Sequence, residues 1–199
     1  MTYLLIDTET NGLPQSYDLP MTDLTNWPRL ISVAWALYDE QGKQLCRHSA
    51  MVKPDGYRWN PMAQRVHRIT LEQAQAKGQP LADVLVQMRP ALEQADVWVG
   101  HNINLDYNVI GAEFIRAGRN SQDQLQQNRV GEMPTRPIIC TMDASTKVTP
   151  NREPVKLEDL YQLLTGKRMK GMHDATADML ATAHCFFQLK RQGHVETYP

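Results

Sequence analysis

The chain has 199 residues, a formal net charge of −1 and a hydrophobic fraction of 42%. That length suits one domain with a substantial core, and no apolar run approaches the roughly 20 residues that span a bilayer. A near-neutral balance argues against a long groove tracking many phosphates, though not against a small site that meets a polyanion through bound cations. The first residues reach Asp7 at once and lack both a basic n-region and a full apolar h-region, so a cytoplasmic protein is expected. Cys46, Cys140 and Cys185 are scattered, without a CxxC pair, which speaks against a disulfide framework or a structural zinc site.

In chain order, residues 3–6 form a short apolar run leading into Asp7, the pattern of a buried strand. Asn11-Gly12-Leu13-Pro14 is turn chemistry, and the polar stretch 15–29, with Pro20 and Pro28, predicts an irregular surface loop. Leu30–Tyr38 reads as a second strand and 44–53 as a third, and the short turn at Asp39-Glu40-Gln41-Gly42 predicts that they pair antiparallel. Thr70-Leu71-Glu72-Gln73 has the capping-box pattern of a helix start. Pro80 suits the first turn of a helix reaching Gln94, with Leu81, Val84, Leu85, Met88 and Leu92 at helical spacing.

Val97–Gly100 reads as a short buried strand, 105–116 as a helix ended by Gly118, and Ile138–Cys140 as another strand. Residues 156–164 form a helix stopped at Gly166, and 174–191 the last helix, closed by Gly193. This order predicts an α/β fold: a mixed sheet that opens with an antiparallel meander of three strands and continues through crossover helices. No composition shift marks a boundary, so residues 1–199 are expected to form a single domain. The stretch 121–136 is the second irregular segment and the best candidate for a partner-facing insertion.

Three acidic clusters carry the chemistry. Asp7 and Glu9 stand at i and i+2 of a strand end, so both point to one face, where a hard divalent cation relieves their repulsion. Asp106 falls in the first turn of a helix that follows a buried strand, where it suits the helix dipole, and Asn102 just before it either caps that helix or reaches a substrate sugar or phosphate. Asp174 is a plausible N-cap, whereas Asp178, one turn later among small and apolar residues, is costly to bury without a partner. His173 precedes that helix. Lys167, Arg168 and Lys170 come shortly before it and either meet phosphates or form a solvated basic face. Trp27, Trp35, Trp59 and Trp98 are candidate stacking platforms, with Trp35 and Trp98 in predicted strands and better suited to the core.

Together the three clusters resemble the DEDD exonuclease superfamily in its histidine variant, the DnaQ-like group. Asp7-Thr8-Glu9-Thr10-Asn11-Gly12-Leu13 is similar to the first motif, His101-Asn102-Ile103-Asn104-Leu105-Asp106 to the second, and His173-Asp174-Ala175-Thr176-Ala177-Asp178 to the third. Val66-His67-Arg68-Ile69-Thr70 also resembles a stretch these enzymes carry beside the substrate end. Asn11, Leu105 and Arg68 stand where the group usually has Thr, Phe and Gly.

The resemblance implies a ribonuclease H-like fold with a mixed five-stranded sheet flanked by helices. It implies 3′–5′ exonuclease action on single-stranded nucleic acid, DNA favoured over RNA, with release of nucleoside 5′-monophosphates. All-carboxylate ligands suit two divalent cations, Mg2+ or Mn2+. In the implied two-metal scheme Asp7 bridges both ions, Glu9 and Asp178 complete the ion carrying the attacking water, and Asp106 supports the ion facing the leaving 3′ oxygen. His173 acts as general base, so activity is expected to rise with pH as the imidazole loses its proton. The backbone around Thr8 and Thr10 is expected to hold the terminal 3′ hydroxyl, with Leu13 wedged against the last base and His67 flanking it. Because the last helix ends close to Pro199, a free-standing enzyme is expected rather than a polymerase-associated proofreading subunit. An RNA-trimming homodimer stays open, and a catalytically silent binding module is the remaining alternative.

Overall fold

The computed structural model describes residues 1–120 and 130–195. Five strands form one sheet in the order β3-β2-β1-β4-β5. They are β1 (Tyr3–Thr10), β2 (Leu30–Tyr38), β3 (Gln44–Met51), β4 (Val97–Gly100) and β5 (Ile138–Cys140). β2 and β3 pair antiparallel, as the short Asp39–Gly42 connection requires, β1 pairs antiparallel with β2, and β4 and β5 continue parallel from β1. The helices are α1 (Pro61–His67), α2 (Leu71–Lys77), α3 (Leu81–Gln94), α4 (Ile103–Asn120), α5 (Thr141–Ser145), α6 (Leu157–Thr165) and α7 (Ala175–Arg191). This is the expected mixed five-stranded, ribonuclease H-like arrangement. Among the described residues no helix is long and apolar enough to cross a membrane.

The central strand β1 sorts its side chains by the two-residue period. Leu4 and Ile6 pack with Val84, Leu85 and Met88 of α3 and Val109 and Ile110 of α4. Tyr3 and Leu5 pack on the other face with Met179, Phe186 and Leu189 of α7. Trp35 and Trp98 are fully buried, as their strand positions predict, and Trp27 is buried as well, so it offers no stacking surface.

Several elements depart from the expected bounds. The first strand runs on through Asp7 to Thr10 because its outer half pairs with β2 alone. Helix α1 was not anticipated: its start is made by Asn60, whose side chain accepts from the Met62 and Ala63 amides, and by Pro61. Helix α4 begins at Ile103 and passes through Gly118. Residues 15–29 are irregular as expected, yet firmly anchored. Arg116 of α4 donates to the carbonyls of Leu24 (2.7 Å) and Trp27 (2.6 Å), and Glu113 accepts from Arg29 Nε and the Leu30 amide, both at 2.9 Å. Of the 121–136 stretch, 121–129 lies outside the described residues. Arg136 ties its end to the C-terminal end of α3, donating to Ala95 O (2.7 Å) and Glu93 O (2.8 Å).

Arg68 ends α1 in the left-handed region, with φ 61°. A glycine takes that conformation without the Cβ clash, which explains why the resembling enzymes place Gly there. Arg68→Gly should therefore raise stability by about 0.5–1 kcal/mol, the relief of a left-handed non-glycine residue less the extra unfolded-state entropy of glycine. A thermal melt reads this directly, and an unchanged or lower midpoint would show that the strained turn costs nothing.

Candidate active site

Beyond Leu5 the strand β1 outruns β4, because β4 ends at Gly100 and the chain turns away into α4. That leaves a crevice at the carboxyl ends of the parallel strands, where open α/β sheets place their ligands. The alternation that puts Leu5 against α7 also turns Asp7 and Glu9 to that side, and Asp178 lies in the first turn of α7. One carboxylate oxygen from each of Asp7, Glu9 and Asp178 lies within 4.8 Å of the others.

Asp106 enters from the opposite face. Thr8 points toward α4, and its hydroxyl donates to Asp106 Oδ1 at 2.6 Å. Both residues are buried. Thr8 is therefore a prop for the second-motif acid, 98 residues away in sequence. The Thr10 hydroxyl donates to Gly12 O at 2.6 Å and holds the turn that carries Leu13, which is 72% exposed.

Electrostatics mark the cluster as a place that needs positive charge. Burial pushes the Asp7 carboxyl well above the usual carboxylate range, reinforced by Asp106, Asp178 and Glu9. Burial first, then Asp178 and Asp106, raises Glu9 to about 8. Burial raises Asp106 to about 7 against the opposing Thr8 bond, and Asp178 to about 6 against the His173 amide, which donates to Asp178 Oδ2 at 3.0 Å. Asp178 Oδ1 is buried and has no hydrogen-bond partner. An orphaned acceptor beside two more carboxylates fits a hard divalent cation with oxygen ligands.

The third motif is built by capping. The Asp174 side chain accepts from the Ala177 amide at 3.0 Å and starts α7, which accounts for that acid without chemistry. His173 precedes it with φ 63°, and Asn102 precedes α4 with φ 65°. Two residues in the left-handed region at the mouth of one cleft are the sort of strain that gathers at functional sites. Both line a cleft of about 330 Å3 with Asp178, His101, Met142 and Met169.

Two further features escaped the sequence reading. His101 is locked: its Nε2 donates to Val155 O and its Nδ1 meets Thr141 Oγ1, both at 3.0 Å, and burial drives its pKa down to about 4. It ties the start of α4 to the segment before α6, and its place beside Asn102 in the motif was the available signal. His67, expected to flank the substrate, is buried in α1 with its ring edge-on to Trp59. Its Nδ1 accepts from the Ile69 amide at 3.0 Å and its Nε2 has no partner. Asn11 connects this region to β1, accepting from the Asn60 amide and donating to Arg58 O, both at 2.8 Å.

The raised carboxyls make a testable prediction. Each binds its proton more tightly in the folded chain than in the unfolded one, where carboxyls titrate near pH 4. Without metal their contribution to stability is thus full below about pH 4 and is lost as pH rises through the range from about 6 for Asp178 to about 8 for Glu9. Millimolar Mg2+ or Mn2+ should raise the melting temperature far more at the upper end of that range than in acid. A metal-free midpoint that climbs across the same range would contradict the crowding of these acids.

The same architecture is found in solved structures. The zinc-bound complex of Escherichia coli exonuclease I with single-stranded DNA superposes with a TM-score of 0.73 at 21% identity, covering 96% of this chain and 40% of that one. The complex of E. coli exonuclease I with a dT13 oligonucleotide gives 0.72 at 20% identity, covering 96% and 41%. The chain thus spans about two fifths of the length of those structures. No curated protein matches it significantly. The family described as Exonuclease, of the RNase T type, matches over residues 4–186, nearly the whole chain, and this protein belongs to that family.

Proposed function

We propose that the chain is a 3′–5′ exonuclease that removes nucleoside 5′-monophosphates from the end of single-stranded DNA with two divalent cations. The observation that carries this reading is the meeting of Asp7, Glu9 and Asp178 within 4.8 Å, with Asp106 behind them on Thr8. Asp7 would be shared between the cations, Glu9 and Asp178 would complete one, and Asp106 would face the other. Mg2+ or Mn2+ suits such oxygen donors, and when bound supplies positive charge for the attacking and leaving oxygens.

The chain's own groups do the rest. His173, exposed at the cleft mouth, takes the proton of the attacking water, and its backbone N–H holds Asp178 in place. Leu13 projects from the turn after β1, placed to wedge against a terminal base. The backbone of Thr8 and Thr10 lies beside the acids and is the proposed seat of the 3′ hydroxyl. Asn102 faces the same cleft and offers donors to a sugar or phosphate. His67 acts from beneath, supporting Trp59 and the 58–60 segment rather than touching solvent.

DNA is favoured because the similar exonuclease I structures are of complexes with DNA oligonucleotides. Residues 1–199 are proposed to act as one nuclease unit, and the common sheet and paired cores of the described residues support this. The test is digestion of 3′-labelled and 5′-labelled single-stranded DNA and RNA side by side, with Mg2+ and with chelator. Mononucleotide released first from the 3′ label, on DNA and only with metal, is the expected result. Metal-independent or internal cleavage would overturn the reading.

A further inference from the structure

We propose that the strand upstream of the cleaved nucleotide passes from the acidic site over Met169 into a second cavity, where Lys167, Arg168 and Lys170 hold its phosphates. The inference rests on the nuclease reading above. The second cavity, of about 430 Å3, lies between Tyr161 of α6, the 167–170 segment, and Ala177, Ala181 and His184 of α7. Met169 lines both this cavity and the cleft that holds His173 and Asp178, so the two hollows are neighbours across that side chain.

The charge there is unbalanced. Lys167, Arg168 and Lys170 are exposed, no carboxylate lines the cavity, and none of the three forms an ion pair among the described residues. On a chain of net charge −1, three adjacent cations without counter-charges favour a polyanion. Gly166 and Gly171 bound their segment with φ 70° and 74°, and the Lys167 amide donates to Thr165 Oγ1 at 3.1 Å. Ala177 and Ala181 line the cavity with small side chains, and the Tyr161 and His184 rings, with centroids 5.6 Å apart and planes tilted by 54°, line it too and are of the kind that packs on sugars or bases. Cations and aromatic rings lining one cavity suit a polynucleotide rather than a free phosphate.

The test compares the full chain with its Lys167→Ala/Arg168→Ala/Lys170→Ala variant on two substrates. One is the p-nitrophenyl ester of thymidine 5′-monophosphate, which fills only the acidic site. The other is a single-stranded DNA of about 12 nucleotides, long enough to reach the second cavity. The variant should raise KM for the oligonucleotide by about 10-fold or more, relative to any change on the ester, with little change in kcat. The slope of log KM against log salt should fall by about 2, as expected for three lost contacts to a single strand. An oligonucleotide KM and salt slope equal to the wild type, in a variant that still hydrolyses the ester, would overturn the proposed path. A wild-type chain that cleaves neither substrate would instead sink the nuclease reading, and this inference with it.

Discussion

Asp7→Asn should slow removal of 3′ nucleotides by about 10³-fold or more while the fold stays intact. Asp7 stands at the centre of the cluster, sharing its surroundings with Glu9 and Asp178 and pressed upward in pKa by burial and by four neighbouring acids. The amide keeps the shape but removes the charge that would draw cations into the site. The same change should make the metal-free chain more stable above neutral pH, because one fewer carboxylate must be held charged in a buried, crowded place. Melting and activity therefore move in opposite directions, which separates a chemical loss from unfolding. Activity within about tenfold of wild type would remove Asp7 from the mechanism.

Glu113→Ala should lower stability by about 3–5 kcal/mol, the usual effect of stripping one partner from a buried ionic group. The Glu113 side chain is only 1% exposed and serves Arg29 at 2.9 Å and Arg116 at 3.1 Å, and it also accepts from the Leu30 amide. Its removal strands Arg116 beneath the 15–29 segment and frees the amide that begins β2. A drop in melting temperature of roughly 10 °C is expected for a chain of this size. Because Glu113 lies about two turns beyond Asp106 along α4, rates per folded molecule should hold. A melting temperature unchanged from wild type would show that the anchor is redundant.

Local signals were read well where a single element carries them. The Thr70 capping box forms as its four residues suggest, with both reciprocal bonds present. Asp174 caps the last helix, and β2 keeps its expected bounds. Helix α1 escaped because it is short and shows no apolar stripe, with Met62 and Val66 exposed. Gly118 looked like a stop, but it is absent from the glycines with positive φ, and a helix tolerates glycine at about 1 kcal/mol. The candidate acids were legible from their order and spacing. What could not be read was depth and facing: that Thr8 would spend its hydroxyl on Asp106, that His67 would be buried, and that the 15–29 loop would be fastened by Glu113 and Arg116. Such pairings join residues some 80 to 100 positions apart, and no local period encodes them.

On β1, Leu4 and Ile6 serve one core and Tyr3 and Leu5 the other, and the acids simply continue the second row. An insertion or deletion of one residue before Asp7 would exchange the two rows. Hydrophobic side chains would then face the crevice, and negative charge would be driven under α4. Foldability and chemistry are thus written on the same eight-residue ribbon. Length changes in this chain should be tolerated in the connections and refused there.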